Sequence, residues 1–121
     1  MGILIDTNIA LYLFNGESRI AKLLEGQLVY VSFITELELL GYRHITPDEE
    51  QLIRDFLSEC VIIDITKDIK ESSIKFRKTY GLKLPDAIIA GTAHYLGIPL
   101  FSADKDFLVI KEINFVAYEQ D

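Results

Sequence analysis

Cysteine occurs once in the 121 residues, so no internal disulfide can form, and Cys60, beside the apolar run Val61-Ile62-Ile63, reads as a small buried apolar residue. Nothing in the chain calls for an oxidising compartment. No apolar stretch reaches the length of a membrane span, and the first residues lack the basic start and long apolar run of a secretory signal. The expectation is a soluble, cytoplasmic protein with no membrane partner. Bases are also scarce: 12 Lys and Arg stand against 19 Asp and Glu, a net charge of −7, which argues against capture of nucleic acid by a broad basic face. Nucleic acid stays open as a substrate, because an acidic cluster that binds a divalent cation presents positive charge where a phosphate would meet it. The two histidines, His44 and His94, lack metal-motif spacing and read as surface or structurally satisfied residues. No glycine-rich loop ending in Lys and Ser or Thr is present to cradle a nucleotide phosphate.

What the chain does have is a composition of one half hydrophobic residues, enough for a proper core, in a length that fits one domain over 1–121. Short apolar runs alternate with helical patterns. Gly2-Ile3-Leu4-Ile5 ends in Asp6 and predicts a strand buried on both faces, followed by a helix from Thr7-Asn8 through Phe14 that Asn15-Gly16 stops. A helix over about 18–25 leads to a second strand at Leu28-Val29-Tyr30-Val31. Thr35 then opens a helix over about 36–42, and Thr46-Pro47-Asp48-Glu49 opens another reaching about Ser58, with threonine as cap, proline first and glutamate three after the cap. Val61-Ile62-Ile63 is the third strand. Thr66 caps a long helix to about Tyr80, ended by Gly81, and a small-residue helix over about 85–96 is closed by Gly97. Pro99-Leu100-Phe101 and Phe115-Val116-Ala117 complete a set of five strands. Strands separated by helices mean parallel pairing with helices on both faces, a three-layer α/β/α domain.

Four acids fall where such a fold binds ligands, at the carboxyl ends of its strands. Asp6 follows the first strand, Asp104 follows the fourth, Glu38 lies one turn into the helix after the second, and Asp86 sits in the first turn of the helix before the fourth. Converged on one rim they would repel, and a cation is the usual resolution. Mg2+ and Mn2+ are hard ions suited to such oxygen ligands. Each acid also has a local explanation. Thr35 and Glu38 match a capping box, Asp6 can orient the turn through Thr7 and Asn8, Asp86 can complement its helix dipole, and Asp104 can cap a short helix containing Lys105 to Leu108. Asp106 is a neighbour suited to an outer position around the site.

Four motifs in order, Ile5-Asp6-Thr7-Asn8, Ser32-Phe33-Ile34-Thr35-Glu36-Leu37-Glu38-Leu39-Leu40-Gly41, Leu84-Pro85-Asp86-Ala87-Ile88-Ile89-Ala90 and Phe101-Ser102-Ala103-Asp104-Lys105-Asp106-Phe107, resemble the PIN-domain family, and within it the small toxin ribonucleases of VapC type. The resemblance covers essentially the whole chain. It implies a five-stranded parallel sheet in order 3-2-1-4-5 and Mg2+- or Mn2+-dependent cleavage of RNA phosphodiester bonds. It also implies a homodimer and a small antitoxin partner. Carried over by position, the metal-binding and catalytic acids are Asp6, Glu38, Asp86 and Asp104, with Thr7, Asn8 and the Ser102 hydroxyl in support. Ser102 stands where the family often has threonine, and Ala103 where a base often follows, which removes one possible phosphate contact.

Rival classes fit less well. A receiver-type phosphoacceptor module would need an acidic neighbour for Asp6 and a lysine after the fifth strand to accompany Asp64 in the acceptor position. A phosphatase with an aspartyl nucleophile would need an aspartate where Asn8 stands. A PIN-like binding module without catalysis is disfavoured by the four intact acids.

Overall fold

The computed structural model describes residues 2–119. Its elements run β1 (Gly2–Ile5), α1 (Thr7–Phe14), α2 (Ser18–Leu24), β2 (Leu28–Ser32), α3 (Phe33–Leu40), α4 (Pro47–Ser58), β3 (Val61–Ile63), α5 (Lys67–Tyr80), α6 (Leu84–Leu96), β4 (Leu100–Ser102), a 3-10 turn (Lys105–Val109) and β5 (Phe115–Ala117). All strand pairings are parallel and the order is 3-2-1-4-5. That order separates the chain from the receiver-type fold, whose strands run 2-1-3-4-5. Asp64 follows the outermost strand, β3, and its carboxylate accepts from the Ile65 N–H at 2.8 Å.

The central strand explains the layering. Side chains alternate across a strand, and Leu4 and Ile5, both fully buried, enter opposite cores. Ile5 joins Ile9, Ile20, Val31, Ile53 and Phe101 under α1, α2 and α4. Leu4 joins Phe76, Ala90, Leu100 and Phe107 under α5 and α6. Helix α6 is buried from Ala87 through Ala93 without a break, and small residues let α5 lie close against it. A Cβ on Gly91 would sit 2.8 Å from Ser73 Oγ and 3.1 Å from the Ile69 carbonyl oxygen, so that crossing requires glycine. Two buried hydroxyls at the crossing bond within their own helices, Ser73 to the Ile69 carbonyl and Thr92 to the Ile88 carbonyl, each at 2.7 Å.

Helix ends follow the predicted chemistry in most places. Thr46 and Glu49 form both halves of a capping box on α4, Thr66 caps α5, and Gly81 and Gly97 end α5 and α6 in the left-handed region at φ 67° and 66°. The exception is α3. Its cap is Ser32, whose hydroxyl accepts from the Ile34 N–H at 3.2 Å, and it ends at Leu40 against Gly41. Thr35 therefore stands inside the helix, not at its start, and the capping-box reading of Thr35 with Glu38 is overturned. The reason is competition between two cap-type residues three apart, which strand β2 settles by running on to Ser32. Smaller shifts occur at α6, where Leu84 precedes Pro85 as the first helical residue, and at β4, which spans Leu100–Ser102 instead of starting at Pro99.

Candidate metal and nuclease site

The carboxyl ends of β1 and β4 lie side by side through the pairing of Ile5 with Phe101, which brings Asp6 against Ser102. Asp6 is 5% exposed and does two jobs at once. Its Oδ1 caps α1 by accepting from the Ile9 N–H at 3.0 Å, and its Oδ2 accepts from the fully buried Ser102 hydroxyl. Ser102 Oγ accepts in turn from the Asp104 N–H at 2.9 Å. Asp104, half-buried, caps the 3-10 turn by accepting from the Asp106 N–H at 2.9 Å, while Asp106 is exposed. The local explanations for Asp6 and Asp104 thus hold beside any functional one.

Across the rim, Glu38 projects from α3 into solvent, where Thr7, the first residue of α1, donates its hydroxyl to Glu38 Oε1 at 2.7 Å. The Thr7 hydroxyl also lies 3.0 Å from that of Thr35, which is fully buried. Asp86, half-buried, occupies the first turn of α6, and Asn8 is exposed beside Thr7.

The acids feel one another. Burial pushes the Asp6 carboxyl above its ordinary value; Ser102 and the Ile9 N–H pull it back, and the charges of Asp104 and Glu38 raise it again. Asp86 is raised by burial first, then by Asp104 and Asp6, with Lys83 lowering it and Asp106 raising it. The structure therefore brings Asp6, Glu38, Asp86 and Asp104 into one electrostatic cluster. Among the described residues no three His, Cys, Asp or Glu side chains are grouped so as to hold a metal ion as they stand. Several of their oxygens are turned to the hydroxyl and backbone partners just named. The donor set is nonetheless one of hard carboxylate oxygens under mutual repulsion, which suits Mg2+ or Mn2+ in charge and in ligand type.

Of the bases near the rim, Lys83 acts on Asp86, whereas Lys105 pairs with Glu119 at 3.4 Å. Both histidines are exposed: His44 packs edge-on against Tyr42, and His94 against Phe76 with its Nδ1 3.3 Å from the Glu112 carbonyl oxygen. A groove of about 440 Å³ borders the rim, reaching from Thr7 and Glu38 along Leu11, Phe14 and Tyr42 to Leu52. A larger depression, about 710 Å³, lies between α2 and α4 and contains none of the four acids. No helix among the described residues is long and apolar enough to cross a membrane. Thr35 is the residue that sequence reasoning misplaced. Its signal was present, since residues three apart share a helix face and Thr35 precedes Glu38 by three.

The PIN domain family model matches residues 3–113. Among solved structures, the toxin-antitoxin complex from Klebsiella pneumoniae is similar at 37% identity, covering 98% of this chain and 99% of that one, with a TM-score of 0.84. VapBC2 from Rickettsia felis bound to a DNA fragment from its promoter is similar at 21% identity, 98% and 100% coverage and a TM-score of 0.83. DNA-bound VapBC from Salmonella typhimurium is similar at 18% identity, 97% and 98% coverage and a TM-score of 0.83. Among curated proteins, none matches the chain.

Proposed function

The chain belongs to the PIN-domain family, and from that premise we propose that it is a Mg2+- or Mn2+-dependent endoribonuclease of VapC type, the toxin of a toxin–antitoxin pair. One observation carries the reading: Asp6, Glu38, Asp86 and Asp104 share a field at the ends of β1 and β4. In this reading the protein is a single cytoplasmic domain over 1–121, a homodimer, and the partner of a small antitoxin protein. The Klebsiella toxin-antitoxin complex supports the pairing with an antitoxin.

The residues divide the work by position. Asp6, Asp86 and Asp104 would hold the ion, and Glu38 would serve as a fourth ligand or orient the attacking water. A bound divalent ion supplies Lewis-acid polarisation of the phosphodiester, a more acidic water and neutralisation of the leaving oxygen. The Ser102 hydroxyl fixes the Asp6 carboxylate toward β4, and Thr7 fixes Glu38 toward α1. Asn8, exposed at the same edge, would meet the substrate, and Asp106 supports Asp104 through its backbone N–H. Single-stranded or looped RNA is the expected substrate form, because only there are base edges free to be read.

The test is cleavage of a mixed RNA pool by purified protein in Mg2+ or Mn2+, with Asp6→Asn prepared in parallel. Cleavage that disappears with EDTA and in the variant is the expected result. No cleavage, together with no metal binding that depends on Asp6, would replace this reading with that of a non-catalytic PIN-like binding module.

A further inference from the structure

Buried hydroxyls inside helices have an easy partner, the carbonyl one turn back, and Ser73 and Thr92 both take it. Thr35 does not. It is fully buried in the first turn of α3, and its hydrogen bond leaves the helix for Thr7 on α1, 28 residues away in sequence. A hydroxyl with no access to water must find a protein partner, or lose the stabilisation of that bond and keep the cost of burial.

The choice of partner orders the protons. Thr7 has a single hydroxyl proton and two acceptors in reach, Glu38 Oε1 at 2.7 Å and Thr35 Oγ1 at 3.0 Å. A carboxylate is the stronger acceptor, and the shorter contact is to it. With the Thr7 proton on Glu38, the Thr7–Thr35 contact is a hydrogen bond only when Thr35 donates to Thr7. Thr35 is β-branched, so its own rotamer is restricted in the helix. The result is a one-way relay, from a buried hydroxyl, through a half-buried one, to an exposed carboxylate that otherwise has solvent on several sides.

We propose that Thr35 is a positioning residue for the acid rim: its buried hydroxyl fixes the Thr7 hydroxyl, and Thr7 thereby holds Glu38 beside Asp6. This rests on the metal-dependent nuclease reading. Thr35 touches neither substrate nor metal, and acts through Thr7 on the one acid of the four that projects into solvent.

Calorimetric titration of the full chain with Mn2+ tests it, using wild type, Thr35→Val, Thr35→Ser, Glu38→Gln and the Thr35→Val/Glu38→Gln double variant, with urea unfolding of each. Thr35→Val, nearly the same shape without the hydroxyl, is expected to weaken Mn2+ binding about fivefold, the size of one ordinary hydrogen bond. Thr35→Ser, which keeps the hydroxyl, is expected to bind like wild type. In the double variant the loss is expected to equal that of Glu38→Gln alone. Thr35→Ala, which cannot clash, gives the same readout should the valine variant not fold. Binding by Thr35→Val equal to wild type overturns the proposal. So does equal weakening by serine and valine, or a further loss in the Glu38→Gln background. Wild type that binds no Mn2+ sinks the nuclease reading together with this one, whereas intact binding unaffected by Thr35→Val sinks this one alone.

Discussion

Two regions of this molecule bury side-chain hydrogen-bonding groups in opposite ways. Where α5 crosses α6, Ser73 and Thr92 return their hydroxyls to their own helices, and Cys60 after α4 does the same with its thiol, 3.4 Å from the Phe56 carbonyl oxygen. At the acid rim, Ser102, Thr7 and Thr35 reach across elements, over 96, 31 and 28 residues of sequence. Local bonding lets a small polar residue pass as packing material. Bonding across elements uses the same group to hold a carboxylate in place, and a buried carboxylate costs the fold free energy except as far as such hydrogen bonds or a counter-charge offset it.

The sharpest way to break that contrast is Asp6→Asn. Its loss of RNA cleavage is expected to exceed the ~10–100-fold that changes around metal ligands typically cost, measured as initial rates at saturating Mn2+. Its unfolding midpoint in EDTA is expected to rise, because burial and neighbouring acids penalise the charge while Asn keeps an oxygen for the Ile9 N–H. A lowered midpoint would mean that Asp6 serves the fold more than the site.

Next comes a paired comparison, Ser102→Ala against Thr92→Val. The first removes a bond to Asp6 and is expected to reduce cleavage by about 10–100-fold. The second removes a bond inside one helix and is expected to leave cleavage unchanged at a stability cost of about 1 kcal/mol. Equal effects on cleavage would erase the distinction between the two regions.

Gly91→Val addresses the packed region from its own side. Forcing a side chain against Ser73 Oγ and the Ile69 carbonyl is expected to cost about 1–3 kcal/mol in urea unfolding. Mn2+ affinity of the folded fraction is expected to stay at the wild-type value, and a change there would couple the two regions.

The smallest effect is the one at Cys60. Burial first, and then the charge of Glu59, push its thiol up from 9.0 to about 11. A group whose pKa is raised by folding holds its proton more tightly in the folded state, so its contribution is complete below about pH 9 and fades as pH climbs toward 11. Alkylation by iodoacetamide at pH 8 is expected to be slower in the native protein than in urea. Equal rates would show that the thiol is not protected.

Much of this was legible in the sequence. Strand β5 was placed to the residue, the capping box at Thr46 and Glu49 formed in both halves, and Asp6 fell at the end of β1 because it closes a short apolar run, with Asp104 two residues past β4. The sheet order came from likeness to a family, since nothing in local patterning distinguishes 3-2-1-4-5 from other parallel orders. Thr35 was misread for a definite reason. A capping box is recognised from four adjacent residues, whereas the contact that employs Thr35 comes from the other side of β2. Ser102 was recognised as a supporting hydroxyl, but its partner, Asp6, is invisible until β4 is laid beside β1.

That last pairing sets an order of events during synthesis. β1 leaves the ribosome well before its neighbour β4, which is made some 96 positions later, to judge by the separation of Asp6 from Ser102. Until Ser102 and Asp104 have emerged, Asp6 can cap α1 and no more, and the rim lacks its second wall. The acid rim is therefore a late product of folding, completed only when β4 slides in beside β1.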